Sequence, residues 1–173
     1  QSTNRIFNKT FEQLGLSDKK TNSQRYIFSM EHQNHYISAI RMFKDNKITG
    51  VGPRMFRNKC GEEKYNLFEG CSTHPHNTYV QLLAETGLIG FAFGASIFLI
   101  ITFFIIKHLI YKFIQNKVLF NDFQLCLLSA ILVSIWPFVP TGGIFNNWLN
   151  IIYFFPVGFF LNSIYNHKAS NYN

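Results

Sequence analysis

Acid is scarce in this chain of 173 residues. Nine Asp and Glu stand against 16 Lys and Arg, for a formal charge of +7, and only Asp122 of the nine lies beyond Glu85. Charge of either sign is missing from Leu88–Ile106 and from Phe123–Val139. No charged relay runs through those stretches, which weighs against ion translocation and favours chemistry at a surface. No internal repeat is present, so a stacked-repeat architecture is not expected. No Asp, Glu or third His follows His74 and His76 at ligand spacing, so no metal is expected there. The chain also has no initiator Met and no basic segment leading into an apolar one. It is therefore expected to be a fragment, with several spans upstream of Gln1 completing a larger multi-helix bundle.

What is present divides near Glu85. Up to that residue lie 12 Lys and Arg and eight Asp and Glu with only short apolar runs; beyond it come four Lys and one Asp among long apolar blocks. The expected organisation is a polar loop region over 1–86 and a membrane region over 87–173. The blocks fall at about 88–106, 123–139 and 148–164, each near the roughly 20 residues that cross a hydrocarbon core. The fold class is thus an all-α integral membrane protein, three transmembrane helices preceded by a largely helical loop region. Trp136, Trp148, Tyr153 and Tyr165 stand near block ends, where amphipathic rings favour the headgroup layer, and Pro137, Pro140 and Pro156 suggest kinks or early ends. The connection from Lys107 to Lys117 holds three lysines and that from Pro140 to Asn147 none. Positive-inside then puts the first connection in the cytoplasm and residues 1–86 on the opposite side. The tail from Asn162 reads as solvated.

Within the polar region, apolar spacings of three and four from Asn34 to Phe43 predict a short amphipathic helix on or near the bilayer. Gly50-Val51-Gly52-Pro53 forces a turn, and the basic group Arg54, Arg57 and Lys59 follows. Glu62, Glu63 and Glu69 then form an acidic loop bounded by Cys60 and Cys71. Outside the cytoplasm those cysteines can hold a disulfide or remain free thiols; Cys126, inside a span, reads as a packing residue.

The most informative stretch is Cys71-Ser72-Thr73-His74-Pro75-His76-Asn77-Thr78-Tyr79, which runs directly into the first apolar block. A helix starting near Pro75 would place His76, Val80, Leu83, Gly87, Gly90 and Gly94 on one stripe, with the glycines as a close-packed seam for another helix. In its first turn His76 would feel the positive helix end, which keeps imidazole neutral, and the same terminus would offer N–H groups to phosphate. Arg54 and Arg57 either assist a diphosphate ligand or anchor lipid phosphates. Asn77 either binds sugar hydroxyls or caps backbone, and Gln81 reads as structural. Glu85, one residue before the expected hydrocarbon, has to be partnered or interfacial.

Here the residues resemble a family, the O-antigen ligase and O-antigen polymerase group of bacterial membrane proteins. The resemblance rests on His76-Asn77, nine residues, then Gly87-Leu88-Ile89-Gly90, with Leu82-Leu83-Ala84-Glu85-Thr86-Gly87 between and the stretch from Arg41 to Pro53 upstream. It covers about residues 31–94. It implies a multi-pass protein of the bacterial inner membrane whose residues 1–86 are periplasmic. It further implies a metal-independent, cofactor-free inverting glycosyltransferase that moves glycan from undecaprenyl pyrophosphate to an acceptor hydroxyl. The acceptor would be lipid A core, a lipid-linked glycan or a protein serine; membrane lipids are further partners and nucleic acid is not. By this resemblance His76 and Arg54 are the expected catalytic residues, and Asn77, Arg57, Arg41, His32 and His74 the expected substrate-binding ones. The arginine that ligases often carry ahead of an aromatic residue in the loop helix is missing near Tyr36, where Glu31, His32 and Gln33 stand. Arg25, Arg41, Arg54 or His32 would fill its role, or the chain belongs to another branch. The alternatives are a non-catalytic membrane carrier of small anions and an adaptor that presents its loop to partners.

Overall fold

The polar half is organised by one helix. In the computed structural model, which describes residues 30–67 and 70–170 and side chains as far as Tyr165, α1 runs Met30–Asp45. Arg25, Glu69 and the last three residues lie outside the described residues. α1 is longer at both ends than the amphipathic pattern alone indicates, with Glu31 in its first turn and Lys44 in its last, each sign favourable to the helix dipole. His35, Ser38, Ala39 and Met42 are buried at spacings of three and four, one face of the helix. That face packs into a small core with Phe56, Cys60, Tyr65 and Ala84. Ile37 and Ile40 remain exposed on the other side. The apolar positions of α1 are therefore shared between a protein core and the outside, where a bilayer can meet them.

Arg54 follows the glycine turn, α2 (Phe56–Lys59) carries Arg57 and Lys59, and Cys60 is bonded to Cys71, with Cα atoms 5.1 Å apart. In the chain-entropy model such a ring stabilises the fold by roughly 2–3 kcal/mol. Tyr65 ties the loop back to α1: its hydroxyl donates to Asp45 (2.7 Å) and its carbonyl accepts from Ser38 Oγ (2.9 Å).

α3 (Thr78–Gln115) is two helices joined at Gly87, whose φ of 64° and ψ of −157° stop the helical ladder. Such a break would orphan carbonyls on one side and N–H groups on the other. The segment 47–52 satisfies both. Val51 N donates to Ala84 O (2.9 Å) and Gly52 N to Glu85 O (2.9 Å), while Leu88 N donates to Lys47 O (2.8 Å) and Ile89 N to Ile48 O (3.4 Å). The two backbones approach so closely that a Cβ on Gly50 would strike the main chain of Glu85 and Thr86, and one on Gly87 that of Ile48. This replaces the expected glycine seam. Gly90 faces the Thr86 side chain, and a Cβ on Gly94 would lie 2.6 Å from Leu82 Cδ1. An unbroken helix would separate residues 82 and 94 by about 18 Å along its axis. The glycines let α3 fold against its own first half and the loop, rather than against another helix.

α4 (Asp122–Ser134) starts in a capping box between Asn121 and Gln124. Its 13 residues rise about 20 Å, short of a hydrocarbon core of about 30 Å. Three spans were expected; among the described residues two helices are long and apolar enough to cross, α3 and α5 (Asn147–Ser170) over Asn147–Tyr165. The middle block stops being helical at Ser134 because Pro137 lacks an N–H and pushes the residue before it out of helical conformation. α5 continues through Pro156 and takes up most of the stretch read as a tail. Gln124 Nε2 donates to Ser163 Oγ (3.2 Å) between α4 and α5. At the end of α3 remote from the histidine motif, His108 stacks on Phe120 and its Nδ1 accepts from Phe120 N (3.2 Å). Among the described residues there is no strand.

Candidate active site

The His-Pro-His-Asn segment is shaped by Asn77. Its Oδ1 accepts from Tyr79 N (3.0 Å) and Val80 N (3.1 Å), so Asn77 is the N-cap and the helix starts at Thr78, not near Pro75. His76 therefore lies outside the first turn. Its φ is 57°, the left-handed region seldom used by residues with a side chain. Of the N–H groups expected to receive phosphate at this terminus, those of Tyr79, Val80 and Gln81 are taken by Asn77.

A second segment closes over the motif. The stretch after α4 gives Ile135 O to Tyr79 Oη (2.8 Å) and Pro137 O to Asn77 Nδ2 (2.8 Å), which satisfies non-helical backbone at the membrane boundary. Thr141 N donates to His76 O (2.9 Å), and Thr141 O lies 3.3 Å from His74 Nε2. Thr78 and Thr141 share a hydroxyl hydrogen bond (2.9 Å), and Ile144 N donates to Gln81 Oε1 (3.0 Å).

Four imidazoles meet beneath this cover. The ring centroid of His76 is 4.3 Å from that of His74 and 5.3 Å from those of His32 and His35; His32 and His35 are 6.3 Å apart. His32 and His74 were expected at the site and the fold brings them there. His35 was not, although its spacing of three from His32 puts both on one side of α1. It is 7 % exposed, and its Nδ1 has no hydrogen-bond partner among the described residues. Burial, then the rings of His74, His35 and His32, push His76 down from 6.5 to about 4, with Glu31 opposing. His35 is lowered by burial and by His32. His74 is lowered by burial, against its hydrogen bond to the Thr141 carbonyl and the charge of Glu85, with Arg57 adding to the lowering. A neutral imidazole at His76 was expected; its cause is burial and neighbouring rings, not a helix dipole. Among the described residues no three His, Cys, Asp or Glu are placed to hold a metal ion.

The basic residues are placed unequally. Arg54 and Arg57 are exposed, and the charge of Arg57 reaches His74. Arg54 has a φ of 62°, and its N–H donates to Glu85 Oε2 (3.1 Å). Lys59 pairs with Glu62 (3.5 Å). Arg41 stands nine residues after His32 on α1, half a revolution round and about 13 Å along the axis, away from the His32 edge. The side chain of Asn77 is engaged by backbone at both ends. Glu85 is partnered, as its position requires, but by N–H groups: Arg54 N, Phe56 N (2.8 Å) and Gln81 Nε2 (2.9 Å). The arrangement thus offers a half-buried imidazole among three others, with exposed Arg54 and Arg57 on the preceding loop, Arg57 close enough for its charge to act on His74, and the N–H groups of Arg54 and Phe56 already occupied.

A family model described as O-antigen ligase matches residues 3–95, which include α1, the glycine turn, the basic loop, the histidine motif and the break in α3. No curated protein and no solved structure matches the chain.

Proposed function

The chain belongs to the O-antigen ligase family, bacterial membrane proteins of glycan transfer in lipopolysaccharide synthesis, and from that membership we propose that it transfers or polymerises glycan carried on undecaprenyl pyrophosphate. In this reading the acceptor is a hydroxyl of lipid A core or of a second lipid-linked glycan, and the histidine end of the molecule faces the periplasm of a bacterial inner membrane.

His76 is the proton acceptor or the group that orients the acceptor hydroxyl. The acceptor oxygen attacks the anomeric carbon, the bond from that carbon to the diphosphate oxygen breaks, and its electron pair leaves on the diphosphate. The hydroxyl proton passes to His76 and from there to water. A ring held well below neutral pH is unprotonated before substrate arrives. Approach of a diphosphate then raises its proton affinity, because a nearby negative charge favours imidazolium. Arg54, assisted by Arg57, stabilises charge on the leaving diphosphate. His32 and His74 wall the proton-accepting ring, and Asn77 holds the loop that carries it.

The observation that carries this reading is the seating of His76 at the centre of three other imidazoles under the 135–144 segment. His76→Ala in the full-length protein is expected to abolish glycan transfer, on the order of 100-fold or more, while membrane insertion is unchanged. Normal glycan ladders from that variant overturn the assignment.

A further inference from the structure

Glu85 is 0 % exposed, and among the described residues no Lys or Arg ion pair reaches it. Its oxygens are filled by neutral donors: Oε2 by Arg54 N (3.1 Å) and Gln81 Nε2 (2.9 Å), Oε1 by Phe56 N (2.8 Å). A carboxylate buried without a counter-charge is costly even when hydrogen-bonded. The break in α3 is already satisfied by backbone from 47–52, so closing that break gives no reason for a carboxylate here.

What the carboxylate grips is a turn with a disfavoured conformation. Arg54 N and Phe56 N flank Met55, and Arg54 takes a left-handed φ of 62° between them. A residue with a Cβ stays in that region only where its surroundings over-determine it. Backbone dihedrals fix the direction in which Cβ leaves the chain, so the grip fixes where the stem of Arg54 starts. The grip extends the other way through Gln81. With Nε2 donating to Glu85 and Oε1 accepting from Ile144 N (3.0 Å), the orientation of that amide is set by its two partners. Ile144 lies three residues after Thr141, whose N–H holds the carbonyl of His76 (2.9 Å). One carboxylate therefore joins the turn bearing the guanidinium to the segment that seats the imidazole.

We propose that Glu85 is a positioning residue: it sets Arg54 against His76 so that both meet one diphosphate-linked sugar. The proposal rests on the functional reading above, and its test separates the two. Glu85→Ala, Arg54→Ala and the double variant are made in the full-length protein and reconstituted with the host strain's undecaprenyl-pyrophosphate-linked glycan and its acceptor. Glu85→Ala is expected to raise the donor KM roughly tenfold with a smaller fall in kcat. Because Glu85 acts through Arg54, the double variant is expected to be within about twofold of Arg54→Ala alone. Independently of transfer, trypsin is expected to cut after Arg54 about tenfold faster in Glu85→Ala, since the N–H groups on both sides of Met55 are released. Should Glu85→Ala fail to insert, Glu85→Asp, a carboxylate one methylene short, carries the same measurements with smaller shifts. Losses that multiply in the double variant, or an unchanged rate of tryptic cleavage, overturn the proposal. If Arg54→Ala and His76→Ala both transfer normally, the functional reading falls, while faster cleavage in Glu85→Ala still upholds the grip.

Discussion

The two ends of α3 solve opposite problems. At the motif end the first half of the helix buries its polar groups: Glu85, Gln81 and Asn77 are inside and hydrogen-bonded, and His35, packed nearby, is inside with its Nδ1 unpartnered among the described residues. Beyond Gly87 the same chain turns its apolar side chains outward. Phe113 is 77 % exposed and Trp148 on α5 79 %. Apolar exposure on that scale is ordinary where lipid is the solvent and would be a liability in water. The polar half is held by a dense set of specific partners, whereas the membrane half has few, such as Gln124 with Ser163 and His108 with Phe120, amid broad apolar surface. Substitutions are therefore expected to be felt very differently on the two sides of Gly87.

After the loss of transfer expected from His76→Ala, the largest contrast is between two glycines. Gly87→Ala places a Cβ on a left-handed residue against the main chain of Ile48 and is expected to cost about 3 kcal/mol or more. Gly158→Ala in α5 meets nothing within 4 Å and is expected to be neutral or stabilising by up to about 1 kcal/mol. Thermal unfolding of the two variants in detergent checks this; equal midpoints would erase the distinction between the halves.

Acid is the next probe. His76 binds a proton less readily in the fold, at about 4, than in the unfolded chain near 6.5. The unfolded state then holds more protons within that window, so stability is fully present above about pH 6.5 and falls as pH drops towards 4. His35 and His74, shifted in the same direction, add to the loss. Protease nicking of the 71–77 loop is expected to rise at pH 5 relative to pH 7. A flat profile at the loop would mean that the imidazoles do not confront one another.

The smallest expected difference lies within the polar half. Arg57→Ala removes a charge that reaches His74 and is expected to raise donor KM severalfold, whereas Arg41→Ala, on the far side of α1 from His32, is expected to change it less than twofold. The reverse ranking would move the anion site onto α1.

How much of this was legible in the sequence differs from residue to residue. The polar and apolar halves, the motif and the need to partner Glu85 follow from composition and local spacing. The start of α3 was misplaced because Pro75 and Asn77 are both residues that open helices, and the side-chain cap of Asn77 prevails over the ring of Pro75. The break at Gly87 left no local sign, since Gly87, Gly90 and Gly94 also fit a helical stripe. The segment that completes the broken ladder lies around residue 50, and only folding brings it there. His35 escaped notice for a similar reason: what sets it apart is three rings contributed by other positions. The short α4 could be read only by weighing Pro137 above the apolar run around it.

The occupied main-chain donors of the basic turn have one last implication. Glu85 takes the amides of Arg54 and Phe56, and the Asn77 side chain takes those of Tyr79 and Val80. An anion approaching this surface would meet exposed side chains such as Arg54 and Arg57 more than main-chain donors. Such contacts tolerate headgroups of differing size, and they can be exchanged one at a time at constant architecture. Under the proposed function, recognition of a lipid-linked diphosphate would then be a removable lining over a fixed frame.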